Sequence, residues 1–127
     1  MDNIDFLLTF HSYKGNVANW QTLNFNYGKQ LYKHKNYINA AKIFSRLTDF
    51  LDIFTVYEKI IFIESFYNSG EYASAKNIIK EIKENELEKE NLYPFLYLKA
   101  KVYKFCLCQE EAEKTIDQIL QLENLSQ

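Results

Sequence analysis

The chain has 127 residues, of which 47% are hydrophobic and 25% charged, and a formal charge of −2. That length suits one core, and the composition excludes a disordered chain. The slightly acidic balance leaves little for the counterion-release term that drives nucleic-acid binding, and the longest compact apolar run, Ile60–Ile63, falls far short of the roughly 18 residues a membrane span needs.

With only three Gly and one Pro, long stretches lack a breaker, and apolar residues recur at spacings of three and four. This is an all-α pattern. In chain order, a short helix is expected at 3–12, ahead of Gly15. Six more follow at 17–33, 37–50, 55–68, 71–85, 93–105 and 109–122. Pro94 falls in the first turn of the helix at 93–105, where a missing amide hydrogen is harmless. The polar stretch KENELEKENLY lies between two of these helices, and KEIKENELEKE reads as a solvated helix end running into a loop. The N-terminal MDNIDFLLTF carries two Asp, no Lys or Arg, and an interrupted apolar stretch, unlike a secretory signal. Cys106 and Cys108, the only cysteines, are too close for an informative disulfide, so free thiols and a cytoplasmic location are expected.

The helices repeat. GKQLYKHKNYINAAKIFSRL, IESFYNSGEYASAKNIIKEI and AKVYKFCLCQEEAEKTIDQI align in one register. A first residue (Gly28, Ile63, Ala100) is followed three later by a large one (Leu31, Phe66, Tyr103) and twelve later by alanine (Ala40, Ala75, Ala112). Four beyond the alanine stands Phe44, Ile79 or Ile116, and three further Leu47, Ile82 or Ile119. The alanines lie 35 and 37 residues apart. A small residue where two helices cross lets the larger one beyond it reach across. Tyr37 and Tyr72 open the second helix of their copies and fill the corner, and Gly70 suits the tight turn before Tyr72. The third copy has Leu107 and Gln109 there, so its turn is expected to be the loosest.

This arrangement resembles the tetratricopeptide repeat, whose signature includes G-x-x-Y and A-x-x-x-F. The resemblance covers about residues 20–122. It departs at the signature Trp position (Asn24, Lys59, Leu96), retains the signature Gly only as Gly28, and has no closing proline. It implies an α-α superhelix (a solenoid) of three helix–turn–helix repeats plus a short N-terminal helix. The single domain, 1–127, would then divide into a capping segment at 1–16 and repeats at 17–53, 54–88 and 91–123.

The resemblance also implies a non-enzymatic adaptor that holds a partner segment in a concave groove lined by the first helix of each repeat. By register the groove residues are Phe25, Lys29, Tyr32 and Lys33, then Tyr57, Ile60, Glu64, Tyr67 and Asn68, then Tyr97, Lys101 and Lys104. Four lysines against one glutamate, with four tyrosines and a phenylalanine, suit a protein or peptide partner with apolar anchors and acidic residues. Each tyrosine equally fits a core position with its hydroxyl in water. The positions that grip a chaperone's C-terminal carboxylate in some relatives read Phe25, Lys29, Ile61, Pro94 and Leu98, so such a clamp looks absent. The alternative is a structural or dimerising subunit of a larger assembly, similar to the repeat subunits of the anaphase-promoting complex, or a chaperone similar to those of type III secretion. YNSGEYASAK also looks like mitochondrial fission adaptors.

There is no glycine-rich phosphate loop, no Ser-His-Asp order and no H-E-x-x-H, and His11 and His34 read as helix-end or surface residues. No catalytic, metal or cofactor-binding residue is therefore assigned. A terminal repeat needs a cap. Phe6, Leu7 and Phe10 can supply one at the N-terminal side, but Leu122 and Leu125 have no obvious cover, while Ile116, Ile119 and Leu120 are expected to face inward. The C-terminal end is thus expected to meet another chain, either a second copy or a larger complex.

Overall fold

A computed structural model describes residues 17–125. The helix expected at 3–12, its residues Phe6, Leu7 and Phe10, and His11 lie outside the described residues. Those described are helical, without a strand, and fall into two compact units, one ending at Thr55 and the other starting at Val56. This boundary lies close to the division expected between the first and second copies.

The first unit is a hairpin of α1 (Val17–Lys33) and α2 (Tyr37–Phe44), followed by a 3-10 turn at Thr48–Ile53. Its closest approach is at Gly28, where an added Cβ would lie 2.4 Å from Cε1 of the fully buried Phe44. Phe44 in turn meets Phe25, which also packs on Phe54. At the far end Trp20 is buried edge-on to Phe50, with ring centroids 6.1 Å apart. One turn on, Asn24 is fully buried and its Nδ2 donates to the Trp20 carbonyl at 2.8 Å.

The second unit holds two hairpins, α3 (Val56–Asn68) with α4 (Tyr72–Ile79), and α5 (Lys89–Phe105) with α6 (Gln109–Leu125). Helix α5 also packs on α3 and α4, so Ile63, Phe66 and Ile79 are buried with Phe95, Leu96 and Val102. The three aligned alanines, Ala40, Ala75 and Ala112, are all buried, as a residue at a helix crossing must be.

The three hairpin turns share one hydrogen-bond pattern. In the first, the Asn36 amide donates to the Leu31 carbonyl (2.8 Å) and Lys35 to Tyr32 (2.9 Å). In the second, Glu71 donates to Phe66 (2.8 Å) and Gly70 to Tyr67 (3.1 Å). In the third, Cys108 donates to Tyr103 (2.9 Å) and Leu107 to Lys104 (3.1 Å). Each is a Schellman closure, which requires a left-handed residue after the helix, and Lys35, Gly70 and Leu107 have φ of 61°, 85° and 59°. The third turn is therefore not the loosest, contrary to expectation. Two backbone hydrogen bonds hold it as they hold the others, and the missing glycine shows instead as a leucine in a conformation that side chains disfavour.

Helix ends differ from expectation for local reasons. Helix α2 stops at Phe44 rather than at 50, because the chain tightens to i→i−3 bonds (Arg46 to Ile43, Leu47 to Phe44). Ser45 Oγ and Thr48 Oγ1 compete for the Lys42 and Ser45 carbonyls. Helix α4 likewise ends at Ile79, not 85, with Glu81 bonding to Ile78 and Ile82 to Ile79. Helix α5 begins at Lys89, four residues early, so Pro94 is inside it; the proline is exposed, and water can take up the carbonyl it leaves unpaired. The charged loop before α5 is partly pinned: it buries Leu87, and Glu84 accepts a hydrogen bond and ion pair from Lys99.

Candidate functional site

Within the second unit, α3 and α5 border an open groove of about 400 Å³. Tyr57, Ile60, Ile61, Glu64, Tyr67 and Asn68 line it from α3, and Asn91, Pro94, Phe95, Leu98 and Lys101 from α5. These are spacings of three and four along each helix, so each helix turns one face to the groove. The floor is aliphatic and aromatic. Asn68 Nδ2 donates to the Glu64 carbonyl at 2.7 Å, which holds that amide at the rim.

Six of the expected residues meet here: Tyr57, Ile60, Glu64, Tyr67, Asn68 and Lys101. Tyr97 and Lys104 do not line this groove. They open instead on a second cavity, between α5 and α6. Helix α5 turns the edge bearing Pro94, Leu98 and Lys101, the counterparts 37 positions on of Tyr57, Ile61 and Glu64, to this groove, and the edge bearing Tyr97 and Lys104 to the next. Ile61, Asn91, Pro94 and Leu98 were not among the expected residues. For Ile61, Pro94 and Leu98 a signal existed, since all three occupy positions at which relatives of the expected family hold a ligand.

The other expected residues belong to the first unit. Phe25 is only 5% exposed, packed between Phe44 and Phe54, and it is a core residue rather than a surface for a partner. Lys29 and Tyr32 are half-buried, with Tyr32 edge-on to Tyr37 at 6.0 Å, and Lys33 is exposed. Of the two expected lysines in the second unit, Lys101 lines the groove and Lys104 does not, and Glu64 faces Lys101 from the other helix.

Beside the groove, the ring of Phe105 at the end of α5 stacks on Tyr72 (4.7 Å, 15°) and meets Tyr67 edge-on (5.9 Å). This cluster fixes the end of α5 on the α3–α4 corner. Next to it Lys76 Nζ approaches Cys108 Sγ at 3.7 Å. Burial pushes the Cys106 thiol above its usual range, with the Lys76 charge acting in the opposite direction. Both cysteines are free thiols. At the other end of α5, the Tyr93 and Tyr97 hydroxyls donate to Glu123 on α6, and the Glu123 carboxylate, as acceptor, holds the Tyr93 hydroxyl well above the usual tyrosine range. Among the described residues, no helix is long and apolar enough to cross a membrane, and no three His, Cys, Asp or Glu side chains gather as metal ligands would.

The chain matches no family model, no characterised protein and no solved structure.

Proposed function

We propose that this protein is a non-enzymatic interaction module of the tetratricopeptide type, whose α3–α5 groove holds a short segment of a partner protein. The observation that carries the reading is the groove's lining. Tyrosine, isoleucine, leucine and proline side chains give apolar seats, and Asn68, Asn91, Glu64 and Lys101 give polar groups around them. Rings and branched chains on rigid helices supply buried area at low entropic cost, while the amides and charges set orientation. The repeated turn geometry supports the family reading, because an identical closure at offsets of 35 and 37 residues is what a repeated helix–turn–helix unit requires.

The partner that fits has two apolar anchors for Ile60, Ile61 and Leu98, and a carboxylate for Lys101. With one lysine opposed by one glutamate, charge sets register more than affinity. The test is selection of a displayed random-peptide library on the full chain, with Leu98→Glu as the counter-target. Enriched peptides should carry paired apolar residues with an Asp or Glu, and lose at least tenfold in affinity on Leu98→Glu. Peptides that bind both forms equally, or no enrichment, would overturn the reading.

A further inference from the structure

The cavity between α5 and α6, of about 710 Å³, is the counterpart one repeat later of a surface that is already filled. Helix α5 packs on the hairpin of α3 and α4, and in that hairpin Ile79 is 3% exposed. Its counterpart 37 positions on, Ile116, is 47% exposed, and Leu120, one turn further, is 51% exposed, so of the three residues expected to face inward only Ile119 is buried. Both line the α5–α6 cavity together with Ala100, the counterpart of the fully buried Ile63. The two hairpins have the same turn closure and the same alanine at the crossing. They therefore present seats of the same backbone form, and among the described residues only the first has a helix in it.

We infer that the α5–α6 groove is a seat for one amphipathic helix of a partner protein, with an apolar stripe for Ile116 and Leu120 and carboxylates on the side that meets Lys101 and Lys104. The chemistry of the seat differs where the end of an incoming helix would lie. Where Tyr67 and Tyr72 receive the Phe105 ring at the end of α5, their counterparts are Lys104 and Gln109. An incoming helix thus meets the Lys104 ammonium group where α5 meets two rings, while the Gln109 amide already donates to Glu113 at 3.1 Å, and the residue that fits against the ammonium group is acidic rather than aromatic. On the opposite rim stands Glu113, the counterpart of Lys76, so the charge is reversed there. Among the described residues of a second copy, each helix is already packed in its own hairpin, and filling the groove with one of them would require it to leave that hairpin. The inference does not rest on the α3–α5 groove, whose lining shares only Lys101 with this one.

The test uses a labelled synthetic peptide of the α5 sequence, residues 89–105, in two forms: unchanged, and carrying Phe105→Glu. Each is titrated onto the full chain by fluorescence anisotropy. The glutamate peptide should bind saturably at one to one and more tightly than the unchanged peptide. Ile116→Lys and Leu120→Lys, at exposed positions that leave the helical content intact, should each weaken it by roughly tenfold or more. Lys104→Glu should reverse the preference between the two peptides. Absence of saturable binding, or binding that Ile116→Lys and Leu120→Lys leave unchanged, overturns the inference. So does sedimentation of the chain alone as a dimer that Ile116→Lys dissociates, since a second copy would then be the occupant.

Discussion

Replacing Gly28 by alanine sets two effects of opposite sign against each other. In a helix interior the change normally stabilises by about 1 kcal/mol, through helix propensity. Here the new Cβ would lie 2.4 Å from Cε1 and 2.9 Å from Cζ of Phe44, well inside the roughly 3.5–4 Å at which carbon atoms attract. Phe44 has no exposed surface and rests against Phe25 with ring centroids 5.9 Å apart, so its ring cannot swing into solvent. Overpacking of this kind costs about 1–3 kcal/mol, and a contact to ring atoms belongs in the upper half of that range. The net expectation is a loss of roughly 1 kcal/mol. Trp20, the only tryptophan, is buried in the same unit, so its fluorescence during urea unfolding reads this hairpin. In a Phe44→Leu background the clashing atoms are gone, and Gly28→Ala should then stabilise by about 1 kcal/mol. The double-mutant cycle should therefore give a coupling of roughly 2 kcal/mol. Stabilisation by Gly28→Ala in the wild-type background, or the same effect in both backgrounds, would refute the crossing geometry of α1 and α2.

The shared turn closure predicts opposite signs at equivalent positions. Leu107→Gly removes left-handed strain of about 1–2 kcal/mol against roughly 0.5–1 kcal/mol of added chain entropy, and because Leu107 is 91% exposed it forfeits little packing. Its Tm should rise, whereas Gly70→Ala should lower stability by about 1 kcal/mol; Tm shifts of the same sign would contradict a common turn. At the α3–α4 crossing, Ala75→Leu should destabilise by about 1–3 kcal/mol or more, while Ala73→Leu, at an exposed position, should stay within about 0.5 kcal/mol. Equal melting temperatures for these two would remove the register of the hairpin. The Cys106 thiol, held up by burial, should react with iodoacetamide at neutral pH more slowly in the folded chain than in denaturant, measured in a Cys108→Ser background. Since its folded value is raised, its contribution to stability is full below the unfolded thiol value of roughly 8.5 and is lost as pH rises through the folded one. Cys106→Ala should therefore lessen the alkaline loss of stability, and an unchanged alkaline limb in urea titrations would contradict the assignment.

Among the described residues, the sequence by itself determined that the chain is helical and about where each helix lies. Three alanines at offsets of 35 and 37, with large residues four and seven positions beyond, are local and periodic features, and the hairpins they announced carry the same turn bonds and the same buried crossings. Helix ends were less legible, because α2 and α4 end through a change to i→i−3 bonding that leaves the hydrophobic period nearly intact past Leu47 and Ile82. Tertiary structure alone decided which face of each helix stays open. Phe25 and Tyr57 are both aromatic residues on the first helix of a hairpin; one is enclosed by Phe44 and Phe54 and the other lines a groove, and the aromatic ring by itself does not say which. Ile79 and Ile116 occupy the same repeat position, yet one is buried and the other exposed, because among the described residues only the first hairpin of the second unit has a helix lying on it. Repetition in a chain specifies what each unit can bury, and exposure depends on which neighbour is there to bury it.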